Sequence, residues 1–556
     1  MPASFHLRAN VIDLFTNTIT VGTIHVLEGK IQRIERSDAA APEPGLPYAL
    51  PGFVDAHVHV ESSLLVPAEF ARLAVVHGTV ATVSDPHEIG NVLGVAGVEY
   101  MLASGLTVPF KFCFGAPSCV PATPFETAGA TISAQDIEQL FQNPAVGYLA
   151  EMMNWPGVLH RDPAVMEKLA LAQRYGRPID GHAPGLRGAD ARQYASAAIS
   201  TDHECFTAEE ALDKLAVGMK ILIREGSAAR NFEALIDLLP EHYEHMMFCS
   251  DDKHPDTLVL GHINQLVQRA VARGQDVLQV LRVACLNPVL HYHLPVGLLR
   301  EGDAADFIVV DDLQDFRVRQ TYINGELVAE DGQTHIPAAP VAVINNFHAQ
   351  PVAAPDFQLP VREKPGSQSP EITVRIIECF DGQLITARHD LPAKVEDGLV
   401  VPDLTNDVLK LTVVNRYAPA APAVAFIKGF GLKQGALASS VGHDSHNITA
   451  VGCDDESLAR AINLVIQAKG GLAAVGTDGE ELLLPLPVAG LMSDQDGYAV
   501  AAAYTAIDTL AKNLGSSLAA PFMTLSFMAL LVIPSLKLSD KGLFDGEAFE
   551  FVDAVA

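Results

Sequence analysis

The amino-acid sequence predicts an α/β protein built around a (β/α)8 TIM barrel, flanked by a small β-sandwich and followed by a C-terminal α/β domain. Two observations predict this fold class. Between residues 51 and 294, short apolar runs alternate with helix-compatible stretches, as in parallel strands joined by helical crossovers. Strand-rich segments lie on both sides of that region, at 1–50 and 295–345, so we expect one β-domain formed from two parts of the chain.

The two outer segments carry the patterns of short strands and tight turns. Three runs within residues 5–35 alternate apolar and polar side chains, which is typical of half-buried strands. Beyond the central region, residues 307–310 are an apolar run, and residues 318–328 contain Asn324-Gly325, a pair favoured in two-residue hairpin turns. These segments form the predicted β-sandwich.

Eight runs in the central region predict the parallel strands of the barrel. Helix-compatible stretches such as residues 67–77, 164–175 and 257–274 connect them. The carboxyl ends of barrel strands meet at one face, where active sites of this fold lie. The predicted strands are residues 53–60, 79–84, 109–114, 145–151, 178–182, 198–203, 220–223 and 246–250.

A Pro/Ala-rich passage, residues 346–370, predicts a linker to a C-terminal domain at 371–556. In that domain we expect a helix over about 455–469, because the acidic residues at its start favour the positive end of the helix dipole. The uncharged stretch 514–536 is long enough to cross a membrane, but its prolines and polar residues favour a buried core segment. Its part at 522–533 is alternatively an interface.

Composition excludes some classes of partner. The formal net charge of −30 argues against binding of nucleic acid, which needs a basic surface, and suits a small-molecule substrate. The seven cysteines are scattered singly, which indicates a reducing compartment, and the N-terminus lacks the apolar core of a signal peptide. We expect a cytoplasmic protein without a membrane partner, assembled as a homo-oligomer, namely a dimer.

Residues that bind metals follow the predicted barrel strands. His57 and His59 are two positions apart on the first strand, so their side chains project from the same face. Imidazole and carboxylate ligands without a cysteine suit zinc, manganese, iron or nickel. One tetrahedral ion needs fewer ligands than the strand ends offer, so we expect two ions. The candidate ligands are His57, His59 and Asp251 for one ion, His182 and His203 for the other, and Glu151 as the bridge between them.

These segments resemble a known family. The run PGFVDAHVH at 51–59 and the return to the β-domain at 302–310, GDAADFIVV, resemble the amidohydrolase superfamily of metal-dependent barrels. More narrowly, SDPHEIGN at 84–91, DGHAPG at 180–185 and VGHDSHNI at 441–448 are similar to the bacterial adenine deaminases. That resemblance implies hydrolysis of adenine, a purine base, to hypoxanthine and ammonia. It also implies a binuclear centre of two divalent ions, manganese first with iron or zinc as alternatives, bridged by a glutamate at strand four.

The resemblance leaves the proton transfers open. We expect Asp251 to act as general base and then acid. Adenosine deaminases protonate the ring from a glutamate shortly after the strand-five histidine, but this chain has Ala183-Pro184-Gly185 there. Glu88 and Glu225 are the alternative donors. Five further residues are candidate purine contacts or, equally, loop caps and ion-pair partners: Asp85, His87, Arg224, Ser227 and Asp252.

Two alternatives to this activity also remain at the level of sequence. The same metal set suits a cyclic-amide or N-acyl amidohydrolase, and a metal-bound homologue without activity would retain the ligands as well. In the C-terminal domain, His443 and His446 belong to a structural polar loop or to a lid over the barrel mouth.

Overall fold

A computed structural model describes residues 4–37, 42–361 and 372–555. Its centre is a barrel of eight parallel strands in two hydrogen-bonded groups, one of five strands and one of three. Backbone hydrogen bonds join the groups at both seams: Ser200 N donates to Ile179 O at 2.9 Å, and Asp251 N donates to His57 O at 2.9 Å. The predicted (β/α)8 barrel is therefore confirmed.

The barrel strands lie close to their predicted positions. The first two, Phe53–Val58 and Thr79–Ser84, are buried along their whole length, as expected for strands covered on both faces. The others are Lys111–Ala116, Val146–Met152, Ile179–Gly181, Thr201–Asp202, Lys220–Arg224 and Met246–Cys249.

Helices surround the barrel and begin at capping residues that their sequences supply. Asp162 caps the helix Pro163–Arg174 through its side chain, and Thr207 caps Ala208–Leu215 in the same way. The α-helices of this region are Pro67–Ala74, His87–Leu93, Val95–Gly105, Ala134–Phe141, Trp155–Leu159, Pro163–Arg174, Gly188–Ser196, Ala208–Leu215, Phe232–Leu235, Leu239–His242, Pro255–Leu258, Ile263–Ala272, Val277–Leu281 and Asn287–Tyr292.

The β-domain is formed from both outer segments, as predicted. Its strands belong to one sheet of eight, and the aromatic rings of Phe5 and Tyr322, on strands that are not neighbours, stack 5.1 Å apart. The sheet thus curls to pack face to face, so the sandwich is made of one continuous sheet. The predicted hairpin turns at Asn324 and Gly325, both with positive φ. The strands are Ser4–Asp13, Thr18–Leu27, Lys30–Arg36, Tyr48–Pro51, Phe307–Val310, Val318–Ile323, Glu326–Glu330 and Gln333–Thr334.

The C-terminal region is a second eight-stranded sheet covered by helices. The predicted helix is Asp455–Ala468, and the side chain of Asp454 caps it by accepting from Ser457 N. Two more helices, Gly497–Asn513 and Pro521–Phe527, follow. The strands of the large sheet are Thr373–Cys379, Thr386–Pro392, Leu409–Val414, Ala423–Lys428, Ala436–Ser439, Ile448–Gly452, Gly471–Val475 and Glu481–Pro485.

Smaller strands complete the described chain. One three-stranded sheet contains Leu359–Pro360, Val395–Glu396 and Leu399–Val400, and another contains Leu536–Ser539, Gly542–Asp545 and Glu550–Val552. The described part of the predicted linker, 346–361, packs on the C-terminal domain, where His348 N donates to Arg416 O at 2.7 Å. The rest of that linker, 362–370, lies outside the described residues, and the predicted domain boundaries stay predictions.

The apolar stretch 514–536 is core. Phe522, Leu525, Met528 and Ile533 are each at most 3% exposed, so the alternative of an interface on this stretch is not supported. Among the described residues, no helix is both long enough and apolar enough to cross a membrane.

Candidate metal centre

The six predicted metal ligands lie together at the carboxyl ends of the barrel strands, and all are buried. In the first group, His57 Nε2 and His59 Nε2 are 3.3 Å apart. Asp251 Oδ1 lies 3.6 Å from the first of these nitrogens and 3.3 Å from the second. Three potential ligand atoms therefore surround one point.

The spacing of this group fits a metal ion. Ligands about 2.1 Å from a tetrahedral ion are about 3.4 Å apart from one another. The separations of 3.3 to 3.6 Å among His57, His59 and Asp251 match that value. Two imidazole nitrogens at this distance can pair through one N–H donating to the other nitrogen, or both can offer their lone pairs to a cation between them. The nearby carboxylate of Asp251 favours the cation, because it supplies a third ligand atom at the same spacing.

A second group lies beside the first, with Glu151 between the two. Glu151 Oε2 is 3.0 Å from His182 Nδ1 and 3.2 Å from His203 Nε2. Its other oxygen, Oε1, is 3.5 Å from His59 Nε2 in the first group. Oε2 also lies 4.0 Å from His57 Nε2, so the Glu151 carboxylate stands between the two groups and contacts histidines of both, as a bridging ligand needs to do.

Glu204 belongs to the second group, although the sequence did not single it out. Its Oε1 lies 3.5 Å from His182 Nδ1 and 3.4 Å from His203 Nε2. Neighbouring residues on a strand point to opposite faces, so the position after His203 is expected to point away. The strand ends at Asp202, however, and the chain has left the extended conformation by then. The signal available was only an acidic residue at a strand end.

Arg224 holds the carboxylates of this region in place. Its guanidinium binds Glu204 through both Nη atoms and donates from Nη1 to Asp251 Oδ2 at 2.6 Å. Although burial opposes it, the charge of Arg224 holds the pKa of Asp251 well below its usual range. Arg224 lines the cavity but is committed to these two carboxylates, so it is an ion-pair partner more than a purine contact.

Asp85 fixes the neighbouring His87. The Asp85 carboxylate accepts from His87 N at 3.0 Å and lies 3.0 Å from His87 Nδ1. His87 lines the cavity, with Nδ1 3.5 Å from Glu151 Oε1. Asp85 itself is fully buried behind this ring, so of the two candidate purine contacts His87 faces the cavity and Asp85 orients it.

The C-terminal domain reaches the centre through the loop that carries His443 and His446. His443 Nδ1 lies 2.6 Å from Glu88 Oε1, and His446 Nε2 contacts the other oxygen of Glu88. Against the effect of burial, these rings hold the pKa of Glu88 well below its usual range. Burial lowers the pKa of His443, but the adjacent Glu88 carboxylate outweighs burial and raises this pKa to about 9. This contact favours the lid over the alternative of an independent polar loop.

The cavity is consequently shared between two parts of the chain. The barrel lines it with five of the six predicted metal ligands, all but His57. It also supplies Met153 and Asp252, whose Oδ1 accepts from Ser62 Oγ at 2.5 Å. The C-terminal domain lines it with Leu384, His443, Asp444, Phe527 and Leu530. Such a cavity combines a cluster of charges with an apolar wall, as small-molecule sites commonly do.

Two candidate residues lie away from this cavity. The carboxylate of Glu225 is paired with Arg269 on the outer side of the barrel end. Ser227 accepts from His254 N at 2.8 Å and contacts Thr257 Oγ1 at 3.1 Å. Glu225 is therefore not brought to the metal ligands, and Ser227 acts as a loop cap. Both follow strand seven, where the chain turns outward after Arg224.

Comparison with family models gives two matches that together cover most of the chain. Residues 48–328 match the amidohydrolase family, which spans the barrel and part of the β-domain. Residues 383–550 match the adenine deaminase C-terminal domain.

Curated relatives match over the whole length. A protein of Salinibacter ruber named adenine deaminase is 56% identical over 555 residues, covering 100% of this chain and 99% of that protein. An adenine deaminase of Sulfurovum sp. is 53% identical, covering 99% of each chain. An adenine deaminase of Borreliella burgdorferi is 46% identical, again covering 99% of each.

Proposed function

The chain belongs to the adenine deaminase family of amidohydrolases, and on that premise we propose that it hydrolyses adenine to hypoxanthine and ammonia. The observation that carries the proposal is the full-length similarity, which includes the C-terminal domain that covers the barrel mouth. The buried cluster of histidines and carboxylates beneath that domain is the reaction site in this proposal.

We assign two divalent ions to the cluster, with manganese first and iron or zinc as alternatives. His57, His59 and Asp251 would hold one ion, His182 and His203 would hold the other with Glu204 close by, and Glu151 would be shared between them. Two bound ions would supply a hydroxide nucleophile at neutral pH. The separate orientation of the two Glu151 oxygens supports this assignment.

Asp251 is the proposed general base and then general acid. Arg224 fixes its Oδ2, while Oδ1 faces the first pair of histidines at the floor of the cavity. As the oxygen–C6 bond of the substrate forms, Asp251 accepts the hydroxyl proton. It then passes that proton to the amine, so the C6–N bond breaks and ammonia leaves.

Glu88 is the proposed donor of the proton that the ring nitrogen next to C6 takes up during attack. It lies on the cavity wall as a carboxylate in contact with His443, whose raised pKa of about 9 keeps that imidazole protonated at neutral pH. In this proposal His443 supplies the proton, and Glu88 passes it to the ring nitrogen. Glu225, paired with Arg269, is not carried into this proposal. His87 and Asp252 are the remaining purine contacts that we propose.

We also propose that the protein works in the cytoplasm as a homodimer. The seven cysteines are all free and buried, which suits a reducing compartment. The dimer stays a prediction, and light scattering coupled to size-exclusion chromatography tests it, because a mass near that of one chain would contradict it.

Release of ammonia from adenine tests the proposed function. Protein purified without metal and reloaded with manganese should release one ammonia and one hypoxanthine for each adenine consumed. No ammonia at an occupancy near two ions per chain would exclude the deaminase. Hydrolysis of a cyclic amide or an N-acyl substrate in the same assay would then favour the alternative hydrolase, and no hydrolysis at all would favour an inactive homologue.

A further inference from the structure

The cavity wall that the C-terminal domain supplies contains a carboxylate without a partner. Asp444 lines the cavity and is only 3% exposed. Among the described residues, its Oδ2 has no hydrogen-bond partner. A buried carboxylate oxygen that lacks a donor is costly, so such an atom points to a ligand that donates to it.

Asp444 lies on the far side of the cavity from the bridging carboxylate. The His87 ring stands between the two, with Nδ1 3.5 Å from Glu151 Oε1 and Nε2 3.9 Å from Asp444 Oδ1. Asp444 is therefore about one ring width further from the metal ligands. A substrate whose reacting carbon is at the metal centre would bring its opposite end toward this carboxylate.

The chemistry of adenine supplies the missing donor at that end. The amine of adenine must face the metal centre, because the carbon that bears it is attacked. Its ring nitrogens on the six-membered ring accept hydrogen bonds and do not donate them. The remaining N–H group belongs to the five-membered ring, at the opposite end of the molecule. In a nucleoside or nucleotide this nitrogen carries the sugar and has no hydrogen.

We propose that Asp444 accepts a hydrogen bond from the N–H of the five-membered purine ring and thereby selects free bases over nucleosides. This inference rests on the proposed function, since it takes the orientation of the base from attack at the amine-bearing carbon. Leu384, Phe527 and Leu530, from the same domain, form the apolar wall beside this contact. The C-terminal domain thus determines specificity as well as covering the site.

The test compares adenine with 9-methyladenine, which keeps the reacting end but lacks the N–H. In the wild-type enzyme, kcat/KM for 9-methyladenine should be at least about 100-fold lower, because a buried charged acceptor is left unpaired. Asp444→Ala should lower kcat/KM for adenine about 100-fold, mainly through KM, and change that for 9-methyladenine by less than about 3-fold. The preference for the free base should then nearly disappear.

Two further arms keep the result interpretable. Asp444→Asn has the same shape, so it controls for misfolding and should weaken hypoxanthine binding about 10-fold by calorimetry, a measurement that needs no turnover. Asp508→Asn is the matched control, since Asp508 pairs with Lys512 on the helix Gly497–Asn513 and does not line the cavity. It should leave the preference and the affinity for hypoxanthine unchanged.

Two results would overturn the inference. One is an equal fall in kcat/KM for both substrates in Asp444→Ala, which would indicate a structural role only. The other is persistence of the full preference for adenine in that variant, which would assign the discrimination to the bulk of the methyl group. Failure of the proposed function would give a different result, namely no ammonia from adenine with the metal-loaded wild type. In that case, calorimetry that compares adenine binding to the wild type and to Asp444→Asn still tests the contact.

Discussion

Two glutamates that the sequence offers as equivalent proton donors lie in different surroundings. Glu88 is 2% exposed and contacts His443 and His446, whereas Glu225 is paired with Arg269. The difference comes from where each chain segment goes after its strand. Glu88 lies in the first turn of the helix His87–Leu93, which stays at the barrel mouth, whereas Glu225 enters a turn that leaves it.

We predict that Glu88→Gln lowers kcat for adenine at least about 100-fold, because the ring nitrogen then lacks its proton donor. Glu225→Gln, which changes a carboxylate outside the cavity, should alter kcat by less than about 3-fold. Steady-state kinetics of both variants, with metal content measured in parallel, checks this. A large loss in Glu225→Gln together with a small one in Glu88→Gln would reverse the assignment.

Asp251 allows a second test at the residue scale. Asp251→Asn keeps an oxygen that can face the ion but removes the proton acceptor. We expect both ions to remain, by elemental analysis, and kcat to fall about 1,000-fold. Activity that persists in this variant would mean that Asp251 is not the proton shuttle.

At the scale of single elements, the loop with His443 and His446 depends on a buried arginine. Arg416 Nη1 donates to His446 O at 3.2 Å, and its Nη2 donates to Ala489 O at 2.6 Å and to Asn345 Oδ1 at 3.1 Å. These bonds join the loop to a second segment of the C-terminal domain, at Ala489, and to Asn345, just before the linker. The loop therefore has a fixed position over the barrel mouth before any substrate arrives.

Arg416→Met should destabilise the protein by about 3 kcal/mol, because it leaves several buried carbonyl groups without donors. It should also raise KM for adenine, since the loop no longer holds the cavity wall in place. Denaturant unfolding and steady-state kinetics measure the two effects. Arg460→Met is the control, because Arg460 forms a partly exposed ion pair with Glu481 and should contribute less than about 1 kcal/mol. Equal effects in both variants would contradict this account of the loop.

The same elements indicate what the sequence can and cannot predict. The histidines at 57, 59, 182 and 203 were predictable because a strand fixes the direction of its own side chains and the barrel brings strand ends together. Glu204 was not assigned, because its direction depends on the chain leaving the strand. Asp444 depends on contact between two distant parts of the chain, which local periodicity does not encode. The sequence pattern of the β-domain likewise does not distinguish one continuous sheet that folds on itself from two separate sheets.

At the scale of the whole molecule, barrel and C-terminal domain form one site. The proposed metal ligands come from the barrel, and much of the apolar wall comes from residues beyond 383. Family models for the two parts match separate segments, yet both contribute side chains to the same cavity. We expect the reaction to require both, since the barrel alone would leave its charged cluster open to water.

Removal of metal should affect the molecule as a whole. The centre holds several carboxylates and imidazoles in a buried space, and bound cations stabilise only the folded state. Treatment with a chelator should abolish activity and lower the melting temperature by about 5 °C or more, and manganese should restore both. Scanning calorimetry measures the shift. If the melting temperature is unchanged after all metal has been removed, metal binding does not stabilise the folded protein and this prediction is wrong.

Anomalous diffraction from crystals of manganese-loaded protein tests directly whether a pair of ions is bridged by Glu151. We expect two anomalous peaks at the carboxyl end of the barrel, one beside His57, His59 and Asp251 and one beside His182 and His203, with Glu151 between them. A single peak, or peaks that Glu151 does not separate, would contradict it.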